Sequence, residues 1–265
     1  MATSVAEAGT ARPVRTRFAN VLFWRLVSIA LVLGAWEIAG RIPVSFAFPP
    51  FSATFAAFVG IILDGTLPAA YLTTLQPLAT GLVVSAVFGV MFGVLMGLSR
   101  TAEWALAPVF IVMQAAPMAA LIPLVTFVYG IGLTAKVLAV CLLAAPVIVL
   151  NTYKAVRTVS PSLLDMCRSF LGTPLQQVTK VILPAAGPVI FAGLRLGVAA
   201  GFIGIVLAEL LITPTGIGDI ITYSSSIADY PTMYATIASL IVFAGVTVSI
   251  LQQVETRFVR PEKRA

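Results

Sequence analysis

Apolar residues along this chain form long runs that are separated by short polar intervals. Each run approaches or exceeds the roughly 20 residues that a helix needs to cross a bilayer. The runs lie at residues 22–42, 77–99, 103–130, 133–153, 188–211 and 233–254. The pattern therefore predicts one all-α membrane domain over residues 21–254, a polytopic protein with about six transmembrane helices, between tails at 1–20 and 255–265.

Two stretches depart from this simple pattern. Residues 43–76 are too broken by Pro, Gly and Asp64 for one clean span, and residues 51–63 are expected to form an amphipathic helix along the outer surface. The third run is interrupted by Pro117 and Pro123. A break at membrane depth is tolerated only where protein or a water-filled cavity surrounds the freed backbone groups.

The longest polar interval without loop-like composition is the 160–184 segment, between the fourth and fifth runs. Its apolar residues recur at helical intervals, and Ser160-Pro161 is a typical helix start. Gly172-Thr173-Pro174 divides the segment, and Pro184 is expected to end its second half. The pattern predicts two short amphipathic helices that lie against the membrane and offer a surface to another molecule.

Composition supports a membrane protein. The chain is 60% hydrophobic and 10% charged, whereas soluble domains are nearer half apolar and a quarter charged. The net charge of +6 does not indicate nucleic-acid binding, because the basic residues lie at the ends and in polar intervals without interleaved aromatic residues. Histidine is absent, and Cys141 and Cys167 lack the spacing of a metal site or a disulfide framework.

The basic residues also predict the orientation. Of 16 Lys and Arg residues, Arg41 and Lys136 alone are expected opposite the termini, and Arg195 within a span. Cytoplasmic loops carry the excess of Lys and Arg, so both termini and the 160–184 segment are expected in the cytoplasm. Residues 1–20 lack the apolar core of a signal peptide and are expected to be a retained tail.

The sequence offers no energy source for transport within this chain. It has no G-x-x-x-x-G-K-[ST] phosphate loop, and its spans lack the Asp, Glu or His chain of a proton-driven carrier. Scattered acids without histidine also argue against an intramembrane enzyme. We therefore expect no catalytic, cofactor or metal site. The alternative, a self-sufficient secondary carrier, would need internal duplication and ionisable residues at mid-membrane.

The 160–184 segment resembles the cytoplasmic coupling loop of bacterial ABC-importer permeases. That loop has the pattern Glu-Ala-Ala, three residues, Gly, nine residues, Ile, one residue, Leu-Pro. Aligned on Leu183-Pro184, this chain differs at several of those places. Asp165 stands for Glu, Met166 and Cys167 for the alanines, Leu171 for Gly and Val181 for Ile, with Gly172 one position late.

Further motifs occur in the order found in the nitrate/sulfonate/taurine subgroup of those permeases. They are Phe48–Thr54, Leu121–Leu124, Phe127–Gly132, Ala208–Leu211 and Thr215–Asp219. The resemblance implies an inner-membrane importer with a second permease copy, partner ATPases that bind ATP and Mg, and an extracytoplasmic substrate-binding protein. It also implies alternating access and a small anionic solute.

Three features are candidates for the pathway or gate. Arg195 is the one charge well inside a span, which is costly unless it faces protein or water. It is either an electropositive point on an anion pathway or a structural arginine satisfied by backbone carbonyls, and the family pattern favours the second. Glu209, about 21 Å further along the same helix at 1.5 Å per residue, is too far away to pair with Arg195. We expect Glu209 at the outer interface, as a possible gate contact.

The third feature is a set of glycines at four-residue spacing in two spans. Such faces let membrane helices approach closely. We expect Gly89, Gly93 and Gly97 to pack within the chain. Gly193, Gly197 and Gly201 lie in the span that the resemblance places near the pathway, so that packing and pathway lining both stay open.

Overall fold

A computed structural model describes residues 14–42, 45–212 and 215–258 of the chain. The predicted tails overlap these ranges only at 14–20 and 255–258, which belong to the first and last helices. The described residues are almost entirely helical and contain no strand. The helices are α1 Val14–Arg41, α2 Phe51–Leu63, α3 Thr66–Leu98, α4 Arg100–Ala115, α5 Ile122–Tyr129, α6 Leu133–Arg157, α7 Pro161–Ser169, α8 Pro174–Gln176, α9 Leu183–Leu211, α10 Ile217–Ser226 and α11 Tyr230–Phe258.

Five helical stretches of the described chain are long and apolar enough to cross a membrane. They are Phe23–Arg41, Thr66–Leu98, Leu133–Arg157, Pro174–Leu211 and Tyr230–Arg257. The third predicted span is instead broken into α4, a short 3-10 turn at Met118–Leu121, and α5. Ala116 before Pro117 is extended, with ψ 149, because the proline ring disfavours a helical conformation at the preceding residue.

A helix with the predicted bounds, residues 51–63, is present as α2. It starts after Pro49-Pro50 and ends before Asp64-Gly65, where Gly65 has φ +80. The predicted start of the second span at residue 77 is wrong, since α3 begins at Thr66. Pro77 lies buried inside this helix rather than at its start.

The glycine face of α3 fixes its packing against α6. Four glycines of α3 each face the α6 residue that comes 59 positions later in the sequence, from Val140 to Val156. These glycines are Gly81, Gly89, Gly93 and Gly97. The constant offset means that α3 and α6 run parallel. The chain between them must therefore return along the bundle, so the broken α4–α5 segment takes the place of the missing long span.

Helix α6 lies at the centre of the bundle, with α9 packed antiparallel on its other side. Gly193 of α9 meets Asn151, and Gly204 meets Ala139 nearer the start of α6. Helix α11 in turn packs antiparallel on α9, with Phe202 and Phe243 ring centroids 6.0 Å apart. The core in these interfaces consists mainly of small and β-branched residues, together with a few larger ones such as Met96 and Phe202.

The bundle has two distinct ends. We call the end that carries the 160–184 segment the α7 end, and the opposite end the α10 end. Trp36 of α1 lies 6.2 Å from Tyr234, ring centroid to centroid, at the beginning of α11. Both Val14 and Phe258 therefore lie toward the α7 end, as the even number of crossings predicts.

Replacing Gly93 with Ala is expected to destabilise the bundle. A Cβ there would lie 2.5 Å from the Thr152 Cβ and 2.7 Å from the Val149 carbonyl oxygen. Overpacking of this kind costs about 1–3 kcal/mol. Gly245→Ala in α11 is the matched control, because a Cβ at that position meets no described atom within 4 Å. Thermal unfolding in detergent would measure both, and equal transition temperatures would contradict the packing argument.

Candidate functional site at the two ends of the bundle

The first half of the 160–184 segment is the exposed helix α7. Pro161 occupies its first turn, as the sequence predicts. Asp165 and Met166 face outward, and Cys167 is half-buried. The Asp165 carboxylate pairs with Arg168 at 3.1 Å, one turn along the same helix. Because both groups are exposed, such a pair contributes only about 0–1 kcal/mol.

The turn after α7 exposes two large apolar side chains, which we call the Phe170–Leu171 tip. Leu171 is 90% exposed and Phe170 82% exposed. Leu171 has φ +56, a conformation that is unusual for a leucine. Gly172 then packs tightly on α7: its N–H donates to the Cys167 carbonyl, and a Cβ would lie 2.9 Å from that oxygen. The backbone is held in a shape that presents the tip to its surroundings.

The second half of the segment runs without interruption into α9. Thr173 and Gln176 form a reciprocal capping box at its start. Residues Gln177–Ile182 then form a π-helical turn. The prediction that Pro184 ends this helix is wrong. A proline clashes with the carbonyl four residues earlier in a regular helix, and the wider π turn relieves that crowding by bonding the Leu183 N–H to Val178 instead.

The aligned residues of the second half differ in exposure. Val181 and Leu183 are half-buried, and Pro184 is exposed. Their neighbour Ile182 is buried in a cluster with Ala155, Val156, Ala186 and Ile190. The base of the segment is therefore anchored to α6 and α9, while its tip is not covered by any described residue.

At the α10 end, the structure forms a buried ion pair that sequence reasoning missed. The Lys136 ammonium of α6 lies 2.8 Å from the Glu209 carboxylate of α9, and the two side chains are 5% and 0% exposed. Lys136 also donates to the Thr215 hydroxyl at 2.9 Å and carbonyl at 3.3 Å. The Glu209 carboxylate accepts from the Thr74 hydroxyl of α3 and from the Gly218 N–H of α10.

We call these groups the Lys136–Glu209 network. Thr74 links it further, because its hydroxyl accepts the Ile217 N–H at 3.0 Å. Gly216 has φ +82, and a side chain there would strike the Glu209 carboxylate; a Cβ on Gly218 would strike Glu209 as well. The Ala208–Leu211 and Thr215–Asp219 motifs, which are separate in the sequence, thus meet around one carboxylate.

The structure buries the Glu209 side chain, which the sequence did not predict. Glu209 is at the predicted end of its span in α9, and side chains and backbone of three other helices, α3, α6 and α10, enclose it. Lys136, which the charge count places on the side opposite the termini, is likewise buried. The sequence does contain a signal for this pair: Lys136 and Glu209 carry opposite charges at the same expected depth in two different spans.

Arg195 has a partner of a different kind from the one expected. Its guanidinium lies 3.4 Å from the Glu255 carboxylate near the end of α11. Arg195 is a quarter exposed and Glu255 is buried. This arginine therefore has a charged partner on a neighbouring helix, and the ion pair ties α9 to α11.

Replacing Arg195 with Ala is expected to lower stability without changing substrate preference. The substitution removes the ion pair that ties α9 to α11. Because Arg195 is a quarter exposed, we expect the loss of stability to be smaller than for a fully buried pair. Thermal unfolding and competition between anionic and neutral solutes would measure the two effects. A normally stable variant that prefers neutral solutes would place Arg195 on the pathway instead.

The glycines of both ladders lie buried against neighbouring side chains. Gly193 meets Asn151, Gly197 meets Ile148, and Gly201 meets Leu82 and Val140. Within one copy of the chain these glycines serve helix packing.

The comparisons with known proteins agree with this architecture. Residues 85–260 match the model of a family described as "Binding-protein-dependent transport system inner membrane component". The aliphatic sulfonates transport permease protein SsuC of Bacillus subtilis (strain 168) is 29% identical over 96% of this chain and 92% of its own length. The taurine transport system permease protein TauC of Escherichia coli (strain K12) is 29% identical over 69% of this chain and 66% of its own length.

A solved structure shares the fold. The chain superposes on an inward-facing structure of the MetNI methionine ABC transporter with a TM-score of 0.60. The match covers 75% of this chain and 98% of that one, at 20% sequence identity. At that identity the likeness concerns the arrangement of helices alone.

Proposed function

The chain belongs to the family of binding-protein-dependent inner-membrane transport components, and on this premise we propose how it is driven and what it carries. It is a transport subunit of an ABC importer rather than a catalytic subunit. We propose that a separate ATPase binds ATP and Mg and docks on the 160–184 segment. An extracytoplasmic binding protein would deliver the solute at the α10 end.

The Phe170–Leu171 tip is the observation that carries this proposal. Two large apolar side chains stand exposed at the end of a segment whose base is firmly anchored. Helices seated in an apolar groove of a partner use this kind of anchor residue. ATP-driven movement of the partner would then move the bundle as packed, rigid elements, which is alternating access.

For the solute we propose a small sulfonate or a similar anion. Two relatives that match more than two thirds of the chain are permeases for aliphatic sulfonates and taurine. A second copy of the chain would complete the pathway.

The test is uptake by proteoliposomes, with taurine as the probe. We expect accumulation only when the permease is reconstituted with its ATPase, its binding protein and Mg-ATP, and none with the permease alone. Accumulation by the permease alone, driven by a proton or sodium gradient, would contradict the proposal and support a secondary carrier. Nitrate uptake without taurine uptake would keep the importer but change the solute class.

Cys167 tests the proposed orientation, with both termini and the 160–184 segment in the cytoplasm. A membrane-impermeant maleimide is expected to label Cys167 in inside-out vesicles and not in right-side-out vesicles. Cys141 is the internal control, because it lies within α6 with its thiol 3.5 Å from the Gly81 carbonyl and should react poorly in both. Labelling of Cys167 in right-side-out vesicles would reverse the proposed orientation.

A further inference from the structure

We infer that the Lys136–Glu209 network stays closed through the transport cycle and makes α3, α6, α9 and α10 one rigid unit. The same geometry points to the α4–α5 arm, residues 100–129, as the part that moves at the α10 end. This inference rests on the proposed transport function, but it concerns which helices move and not what drives them.

The chemistry of the network argues against its opening. The Lys136 ammonium makes three contacts, one to Glu209 and two to Thr215, which match the three protons it can donate. The Glu209 carboxylate accepts from an ammonium, a hydroxyl and a backbone N–H. Separating the helices would leave both charges buried without partners, an arrangement that proteins avoid.

Packing around the network leaves no room for its helices to slide. The glycine faces of α3 and α9 hold α6 from two sides, with their Cα atoms against side chains and carbonyl groups of α6. Gly216 and Gly218 press directly on Glu209. Since tightly packed interfaces shift as units rather than deform continuously, the four helices should move together.

The α4–α5 arm has the opposite character. Helix α4 has no buried residue, and in α5 only Ile122 is buried. The arm is interrupted at Pro117, and it joins α6 through Gly130, whose φ of +78 places it in the left-handed region. A Cβ on either Gly130 or Gly132 would meet no described atom within 4 Å.

The arm is nevertheless held at the α7 end. The Glu103 carboxylate accepts from the Tyr153 hydroxyl at 2.6 Å and pairs with Arg157 at 3.2 Å. Beyond this anchor, a groove of about 300 Å³ lies beneath the break, between α4, α6 and α9. Gln114 and Pro117 form its arm side, and Pro146 and Ala200 its bundle side. Movement of the arm about its anchored end would widen or close this groove.

Two pairs of spin labels test the inference in the complete complex with its ATPase and binding protein. The first pair, Leu72→Cys with Tyr223→Cys, joins α3 to α10 across the proposed rigid unit. The second pair, Phe127→Cys with Tyr223→Cys, joins the arm to that unit. All three native side chains are exposed, so labels there should disturb packing little. Cys141 and Cys167 are replaced by Ala, and excess unlabelled permease limits most complexes to one labelled copy.

Pulsed electron resonance would then compare the nucleotide-free complex with the complex trapped by Mg-ATP and vanadate. We expect the 72–223 distance distribution to stay unchanged and the 127–223 distribution to shift by several ångströms. A shift in the first pair, or a constant distance in the second, would overturn the inference. Adding Lys136→Met should broaden the 72–223 distribution, and an unchanged width would show that the network does not hold the unit together.

Uptake measured on the same unlabelled complex separates the two proposals. If Mg-ATP drives no uptake of taurine or nitrate, the proposed function fails whatever the distances do. If uptake is normal but the arm stays fixed, the function stands and the inference fails.

Discussion

Replacing Leu171 with Asp is expected to release the permease from its ATPase while leaving membrane insertion intact. Leu171 is 90% exposed in the described chain, and its φ of +56 suits Asp better than Leu, so folding should be little affected. In a docked complex the same carboxylate would enter an apolar groove unpaired. The penalty is several kcal/mol, and each 1.4 kcal/mol is a tenfold loss of affinity. We therefore expect copurification with the ATPase to be lost, measured by affinity purification from membranes.

Two variants serve as controls for this experiment. Leu63→Asp adds the same charge at an exposed leucine at the end of α2, near the α10 end, and should leave copurification unchanged. Asp165→Ala should have a small effect, because its exposed pair with Arg168 contributes little. Gly172→Asp is less informative, since its Cβ would press on Cys167 even in the free permease. Normal copurification and transport by Leu171→Asp would exclude the tip as the docking element.

Replacing Lys136 with Met is expected to be the most destabilising single change in the bundle. The substitution keeps an apolar stem of similar length but leaves the fully buried Glu209 carboxylate without its cation. Breaking a buried ion pair in this way costs about 3–5 kcal/mol. Thermal unfolding of the purified permease in detergent would measure the loss as a lower transition temperature.

The double variant Lys136→Met/Glu209→Gln is the matched control. It removes both charges, so no buried carboxylate is left without a cation. The glutamine amide oxygen can still accept from the Thr74 hydroxyl and the Gly218 N–H. We expect the double variant to be more stable than Lys136→Met. A double variant that is less stable than the single one would show that the hydrogen bonds, not the ion pair, hold this end together.

The sequence predicted the elements of this fold better than their junctions. Apolar run length located the long helices, and the proline pair before Phe51 located α2, because both signals act within a few residues. Helix boundaries predicted at prolines were wrong at three positions, Pro77, Pro184 and Pro188. A proline can lie inside a helix when its neighbours relieve the clash. That relief comes from packing and from the π turn, which local patterns do not encode.

The candidate sites divide in the same way. The Phe170–Leu171 tip follows from a short motif whose parts are adjacent in sequence. The Lys136–Glu209 network joins residues 73 positions apart, and Thr74 comes from a third helix. Depth in the membrane places Lys136 and Glu209 at one level, but only the order of helices around α6 makes them neighbours. The partner of Arg195 was missed for the same reason, because Glu255 lies beyond the last apolar run.

The helix from Pro174 to Leu211 is unbroken, so the number of residues in it fixes how its two ends are rotated relative to each other about the helix axis. Its 38 residues extend about 57 Å at 1.5 Å per residue, from the turn beside the tip to Leu211, two residues past Glu209. Inserting or deleting one residue would rotate one end by about 100° relative to the other. Either Glu209 would then point away from Lys136, or the tip would point away from its partner. The wider turn at Gln177–Ile182 is the place where such a mismatch can be absorbed, so the length of this helix is as much a part of the mechanism as any side chain on it.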